Sequence, residues 1–123
     1  MWYTRFEDLP AWKLGDSLNA KLVSVIAAAR GRADFRYADQ LRGASLSVTN
    51  NIAEGFERTS RNEFVHFLSI AKGSAGEVRS MLHQAHRENL LHETEYSALL
   101  TLTREIGRQL ANLIRHLKQK QPS

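Results

Sequence analysis

A chain of 123 residues suits one domain, and with 42% hydrophobic residues it can bury a single core without covalent staples. It contains no cysteine, which excludes disulfides, thiolate catalysis and thiolate zinc sites. The formal charge of +4, from 17 Lys/Arg against 13 Asp/Glu, points to no partner until its distribution is known.

The amino end, Met1-Trp2-Tyr3-Thr4-Arg5-Phe6-Glu7-Asp8, lacks the uninterrupted apolar run of a signal peptide. No stretch approaches the ~20 apolar residues that span a bilayer, so a cytoplasmic chain is expected. Apolar residues then recur with helical spacing throughout. The first helix is predicted over roughly 9–29, with Asp8 as N-cap and Pro10 in the first turn, carrying Leu14, Leu18, Leu22, Val25 and Ile26. Arg30-Gly31-Arg32 breaks it. The second, roughly 36–56, presents Leu41, Ser45, Val48, Ile52 and Phe56 and ends near Gly55, where a glycine can take the left-handed cap conformation.

The third, roughly 60–89, opens on the capping box Ser60-Arg61-Asn62-Glu63 and buries Phe64, Phe67, Leu68, Ala71, Ala75, Val78, Leu82 and Ala85. Gly73 and Gly76 interrupt it with Ala71, Ser74 and Ala75, each glycine costing ~1 kcal/mol against alanine. Close approach of another helix, from this chain or another copy, would offset that. After Leu90-Leu91-His92 the fourth, roughly 93–119, presents Tyr96, Leu99, Leu100, Thr103, Ile106, Leu110, Leu113, Ile114 and Leu117. Short connections make consecutive helices antiparallel, giving an all-α, up-and-down antiparallel four-helix bundle that occupies residues 1–123 as one domain.

No enzyme emerges from these residues. Glu63-Phe64-Val65-His66 is one Glu-x-x-His, whereas a di-iron bundle needs two such motifs and two further glutamates, and Glu63 is already explained as the cap partner of Ser60. His83 and His86 share a helix face without a third ligand spaced to join them. Lys72-Gly73-Ser74-Ala75-Gly76 lies inside a helix and lacks the strand-to-helix context of a phosphate loop. No catalytic residue, metal or cofactor is expected. Asn50 and Asn51 are unusual in a helix interior, and Asn51 edges the apolar face. The preferred account is a polar clasp in which Asn51 and Glu54, the latter reaching Arg58 and Arg61, fix the corner between the second and third helices.

The charge is unevenly placed. Residues 1–57 sum to zero, so residues 58–123 hold the whole +4. Over residues 104–120, Arg104, Arg108, Arg115, Lys118 and Lys120 stand against Glu105 alone, a stripe suited to an anionic partner. The alternative is a solvated helix with cations favourably near its C-terminus.

The set Gln40-Leu41-Arg42, Ala44, Ser47, Asn51-Ile52-Ala53-Glu54-Gly55-Phe56, Arg58, Ser60, Glu63-Phe64, Phe67-Leu68, Ile70-Ala71, Gly73-Ser74 and Glu77 resembles the four-helix-bundle proteins of the ribosomal-RNA intervening-sequence family. That family is related to the accessory variability determinant of diversity-generating retroelements. The likeness runs from Phe6-Glu7-Asp8-Leu9 and Trp12 to Ile106-Gly107-Arg108, with departures at Gly43, Thr49 and His92. It implies a ring-shaped homopentamer without catalysis. Retroelement relatives present a basic surface to RNA and to a reverse transcriptase. The crowding of Trp2, Tyr3, Phe6 and Trp12 at the amino end fits either an interface or a lid on the chain's own core.

The resulting expectation is a homo-oligomeric binding module for RNA or DNA, using Arg104 to Lys120 with Arg58 and Arg61. Because no aromatic residue follows Tyr96, stacking on bases is not expected. The alternatives are a protein-only adaptor for a nucleic-acid enzyme such as a reverse transcriptase and, more remotely, a metal-dependent bundle enzyme.

Overall fold

The helical spacing of apolar residues is realised as five helical segments in the computed structural model, which describes residues 2–119. A single 3-10 turn, Phe6–Asp8, leads into α1, Pro10–Lys21, and α2, Val23–Gly31. These are followed by α3, Phe35–Glu57, α4, Arg61–Arg87, and α5, Glu93–Gln119. The first predicted helix therefore divides at Leu22, although Leu22 stays near the helical region (φ −85°, ψ −7°). Its N–H donates to the Leu18 carbonyl at 3.0 Å and its carbonyl accepts from Ile26 at 3.0 Å, so α1 and α2 form one arm of the bundle.

Two expected caps are placed differently. Asp8 lies in the 3-10 turn, and Leu9 occupies the position before α1 without a side-chain cap. Leu9 is almost wholly buried, and Pro10 follows it at the first helical position, where its missing N–H costs nothing. Gly55 does not end a helix in the left-handed region; no described glycine has positive φ. It lies inside α3, against Phe64 and Phe67 of α4, and a methyl group there would come within 2.7 Å of the Phe67 Cβ. Its smallness is a packing requirement between α3 and α4.

Other boundaries follow local chemistry. Asp34 caps α3, its carboxylate accepting from the Tyr37 N–H at 3.2 Å. Ser60 caps α4, accepting from the Glu63 N–H at 3.1 Å while its hydroxyl donates to the Glu63 carboxylate at 3.2 Å. α4 stops at Arg87, two residues before the predicted end, and Asn89 turns the chain with φ 58°. Ala33 does the same before α3 with φ 61°.

The arms pack in the cyclic order α1/α2, α3, α4, α5, with α3 against α4 the most extensive pairing and α5 closing onto α1. The core runs along the bundle axis through Leu18, Leu41, Val48, Ile52, Leu68, Leu82, Ile106 and Leu110, all fully buried. Two sets of polar side chains at the core are satisfied across helices. Asn19 donates to the Thr49 hydroxyl at 3.1 Å, and Ser45 donates back to the Asn19 carbonyl oxygen. Tyr37 donates from its buried hydroxyl to the Met81 carbonyl at 2.6 Å. Burial pushes the Tyr37 phenol up to about 12, with Glu88 and Asp34 adding to the effect.

Candidate nucleic-acid interface

The cations predicted on the last helix are not equivalent in space. Arg108 lies against Glu105, with Nε donating to the carboxylate at 3.0 Å and a second bond from the same guanidinium. That hydrogen-bonded pairing holds Arg108 above the usual arginine range and Glu105 below the usual carboxylate range, Gln109 adding to the latter. Arg115 donates instead to the neutral Asn112 side chain at 3.0 Å. Arg104 and Lys118 are exposed and, among the described residues, form no ion pair. Lys120 lies outside the described residues.

Antiparallel packing of α4 on α5 sets further cations beside these. Two shallow hollows of about 460 and 470 Å³ share Lys72 and run along the α4–α5 seam. Arg79 and Thr103 lie in one; Arg115 and Lys118 lie in the other. Gly73, Gly76 and Gly107 line the seam, and a methyl group on any of them would meet nothing within 4 Å. No acidic side chain lines either hollow. The result is a shallow cationic groove whose glycines leave room for a close-approaching backbone. Lys72 and Arg79 were missed in the sequence. Their spacing of seven residues beside Gly73 and Gly76 was the available signal.

Arg58 and Arg61, also predicted for this face, lie at the α3–α4 corner instead. Arg58 bonds Glu54 at 2.6 Å and Glu63 at 3.5 Å, and its guanidinium sits 4.9 Å from the centre of the Phe67 ring. The Glu54 hydrogen bond is the main reason its basicity is raised. Both arginines border a separate cleft of about 700 Å³ at the end of the bundle. Part of its wall is aromatic, with Trp2, Tyr3, Phe56, Phe64 and His116 beside Thr4, Thr59, Ser60 and Leu117.

The expected polar clasp separates into two. Asn51 donates to the Ser47 carbonyl at 2.8 Å and to the Ser47 hydroxyl at 2.9 Å, and that hydroxyl pairs with Ser74 of α4 at 2.8 Å. Glu54 works with Arg58, Glu63 and Ser60 at the corner, one turn further along. Asn51 therefore ties α3 to α4 through serines rather than through Glu54.

The residues considered for metal are engaged elsewhere. Glu63 serves Ser60 and Arg58, while His66 stands edge-on to Phe67. His83 hydrogen-bonds the Tyr96 hydroxyl at 2.8 Å; His86 stacks on the Tyr96 ring at 4.0 Å and bonds Glu93 at 2.5 Å. Among the described residues no three His, Cys, Asp or Glu side chains gather as a metal cluster. No described helix is long and apolar enough to cross a membrane.

Residues 7–112 match the family of 23S rRNA-intervening sequence proteins, so the chain belongs to that family. A comparison with curated proteins finds no match. Among solved structures the chain is similar to a protein of unknown function from the S23 ribosomal protein family of Bacteroides thetaiotaomicron. The identity is 21%, the TM-score is 0.78, and the match covers 85% of this chain and 97% of that one. At this identity the likeness speaks for the fold, and it is the fold derived above.

Proposed function

We propose that this member of the 23S rRNA-intervening sequence protein family is a non-catalytic module that holds the phosphate backbone of RNA or DNA in the α4–α5 groove. The observation that carries the proposal is the composition of that groove. Lys72, Arg79, Arg115 and Lys118 line it without an acidic neighbour, and its three glycines keep it shallow. Phosphate oxygens accept hydrogen bonds from such cations, and the counterions they displace drive association. A cytoplasmic location goes with this role.

Four phosphate contacts per copy give weak binding, so assembly matters. We include in the proposal the homo-oligomer, a pentamer, that the family resemblance implies. Val23, Phe35 and Ile70 leave large apolar side chains exposed for such contacts. Repeating the groove around a ring raises avidity without any new contact, provided one strand reaches several copies.

The test is titration of labelled single-stranded RNA onto the protein and onto a Lys72→Gln/Arg115→Gln/Lys118→Gln variant. With about four contacts, affinity for the parent protein should fall roughly 50-fold for a fourfold rise in salt. The variant should bind far more weakly and with a flatter salt dependence. Arg108→Gln should change little, because Glu105 already engages that guanidinium. Unchanged affinity of the triple variant, with its helical content intact, would remove the nucleic-acid reading and favour the adaptor for a nucleic-acid enzyme.

A further inference from the structure

The amino-terminal aromatic residues meet the last helix. Trp2 lies beside His116 with ring centroids 6.1 Å apart and planes 15° from parallel. It stands edge-on to Phe64 at 6.4 Å and to Tyr3 at 6.1 Å. Despite these neighbours Trp2 is 47% exposed and Tyr3 37% exposed, both facing the 700 Å³ cleft at the bundle end. A cleft of that volume is ample for a nucleobase, and indole is a broad face on which any base can stack.

Position gives the cleft its partner. His116 lines it, and Arg115 and Lys118 of the cationic groove stand one and two residues away on α5. That is at most ~3 Å of axial rise on a helix ~10 Å across. Arg58, Ser60 and Arg61 also line the cleft. Glu63 engages both Ser60 and Arg58 there, so the cationic pull comes chiefly from the α5 side. The expectation of no stacking rested on the last helix alone, whereas the rings lining this cleft come mostly from other parts of the chain.

We propose that the Trp2–His116 cleft is a stacking site for an unpaired nucleobase, placed where a single strand leaves the α4–α5 groove. The proposal rests on the phosphate-binding reading of that groove and adds two properties to it. One is preference for single-stranded over duplex nucleic acid, because a paired base cannot enter the cleft. The other is tolerance of sequence, because stacking uses the face of the base and not its edges. No bond is made or broken.

The test uses a Trp12→Phe background, in which Trp2 is the one remaining tryptophan, titrated with a short single-stranded oligouridylate. Trp12 is half-buried against Phe6, away from the cleft. Trp2 fluorescence should be quenched on binding, and a duplex of the same length should produce little quenching. In a second titration with labelled oligouridylate, Trp2→Ala should weaken binding about five-fold to a hundred-fold. Trp2→Phe should recover part of that loss. Trp2 precedes the first turn of the fold, and light scattering on Trp2→Ala controls for assembly. Binding without quenching, and unaffected by Trp2→Ala, would overturn the stacking site while leaving the groove intact. No binding by the parent protein would remove both readings. A change of oligomeric state in Trp2→Ala would assign Trp2 to contacts between copies and overturn the stacking role.

Discussion

Gly55→Ala is the sharpest test of how α3 and α4 are held. A methyl group at Gly55 would sit 2.7 Å from the Phe67 Cβ, 3.0 Å from Phe64 Cδ1 and 3.3 Å from the Phe64 carbonyl oxygen. The first and last of these atoms are fixed by the α4 backbone, so no rotamer change relieves the overlap. The two helices must separate at the corner, disturbing the edge-to-face contact of Phe56 with Phe64 at 5.9 Å. Overpacking of this kind costs ~1–3 kcal/mol, against which alanine's better helix propensity returns ~1 kcal/mol. With contacts this short the net loss should be ~1–2 kcal/mol, a fall in melting temperature of roughly 3–12 °C. Thermal unfolding followed by far-UV circular dichroism measures it. Gly73→Ala and Gly76→Ala supply the opposite case, because nothing lies within 4 Å of a methyl group at either position. Each should gain up to ~1 kcal/mol. If Gly55→Ala melts at or above the parent temperature, the close approach does not govern this corner. If Gly73→Ala melts lower or loses its oligomer, another copy's helix packs over that glycine and the groove is a protein interface.

Three further outcomes follow from particular residues. Asn51→Leu should cost ~1 kcal/mol by removing the two bonds to Ser47; unchanged stability with loss of RNA binding would make Asn51 a ligand contact instead. Tyr37 has a folded-state pKa of about 12 against an ordinary 10.0, so the folded state keeps its proton where the unfolded state loses it, and stability should fall as pH rises from about 10 to 12. Denaturant titrations across that range should show this fall in the parent and not in Tyr37→Phe. Light scattering should give about five times the chain mass for the homo-oligomer, and a clean monomer would refute it.

The helices were legible because each buries one stripe at a period near 3.6, a pattern that survives without knowledge of partners. Their ends were less so. Asp8 had the chemistry of a cap, yet burial of Leu9 placed that leucine ahead of Pro10 and left Asp8 in the preceding turn. Gly55 could be a terminator or a point of contact, and composition alone does not distinguish the two. The distinguishing signal was present: Val48, Ile52 and Gly55 fall at steps of four and three on the buried face, where a terminating glycine has no need to fall. Asn51 and Glu54 sit three apart and read as one clasp, but only Asn51 leans toward α4 at the level of Ser74.

The candidate site was half legible for a related reason. Positive charge on the last helix can be counted along the chain, whereas its neutralisation and its neighbours depend on packing. Ion pairs among the described residues include Arg5 with Glu7, Arg30 with Asp39, Arg58 with Glu54 and Glu63, His86 with Glu93, and Arg108 with Glu105. None of these pairs lies in the α4–α5 groove. With Arg108 paired, the cations of the last helix that stay unpaired join others across a seam between two helices, where Lys72 lies by Arg115 and Lys118 and Arg79 lies further along by Thr103. Such exposed pairs contribute little to stability, ~0–1 kcal/mol each. Their larger effect is on the surface field: they offset Arg58 and Arg108 outside the seam, while no acidic side chain lines the seam itself. The same packing that aligns the seam carries the end of α5 up to Trp2. A phosphate-holding groove and an aromatic cleft thus become neighbours through residues from opposite ends of the chain, a relation that no helical periodicity within a single segment can encode.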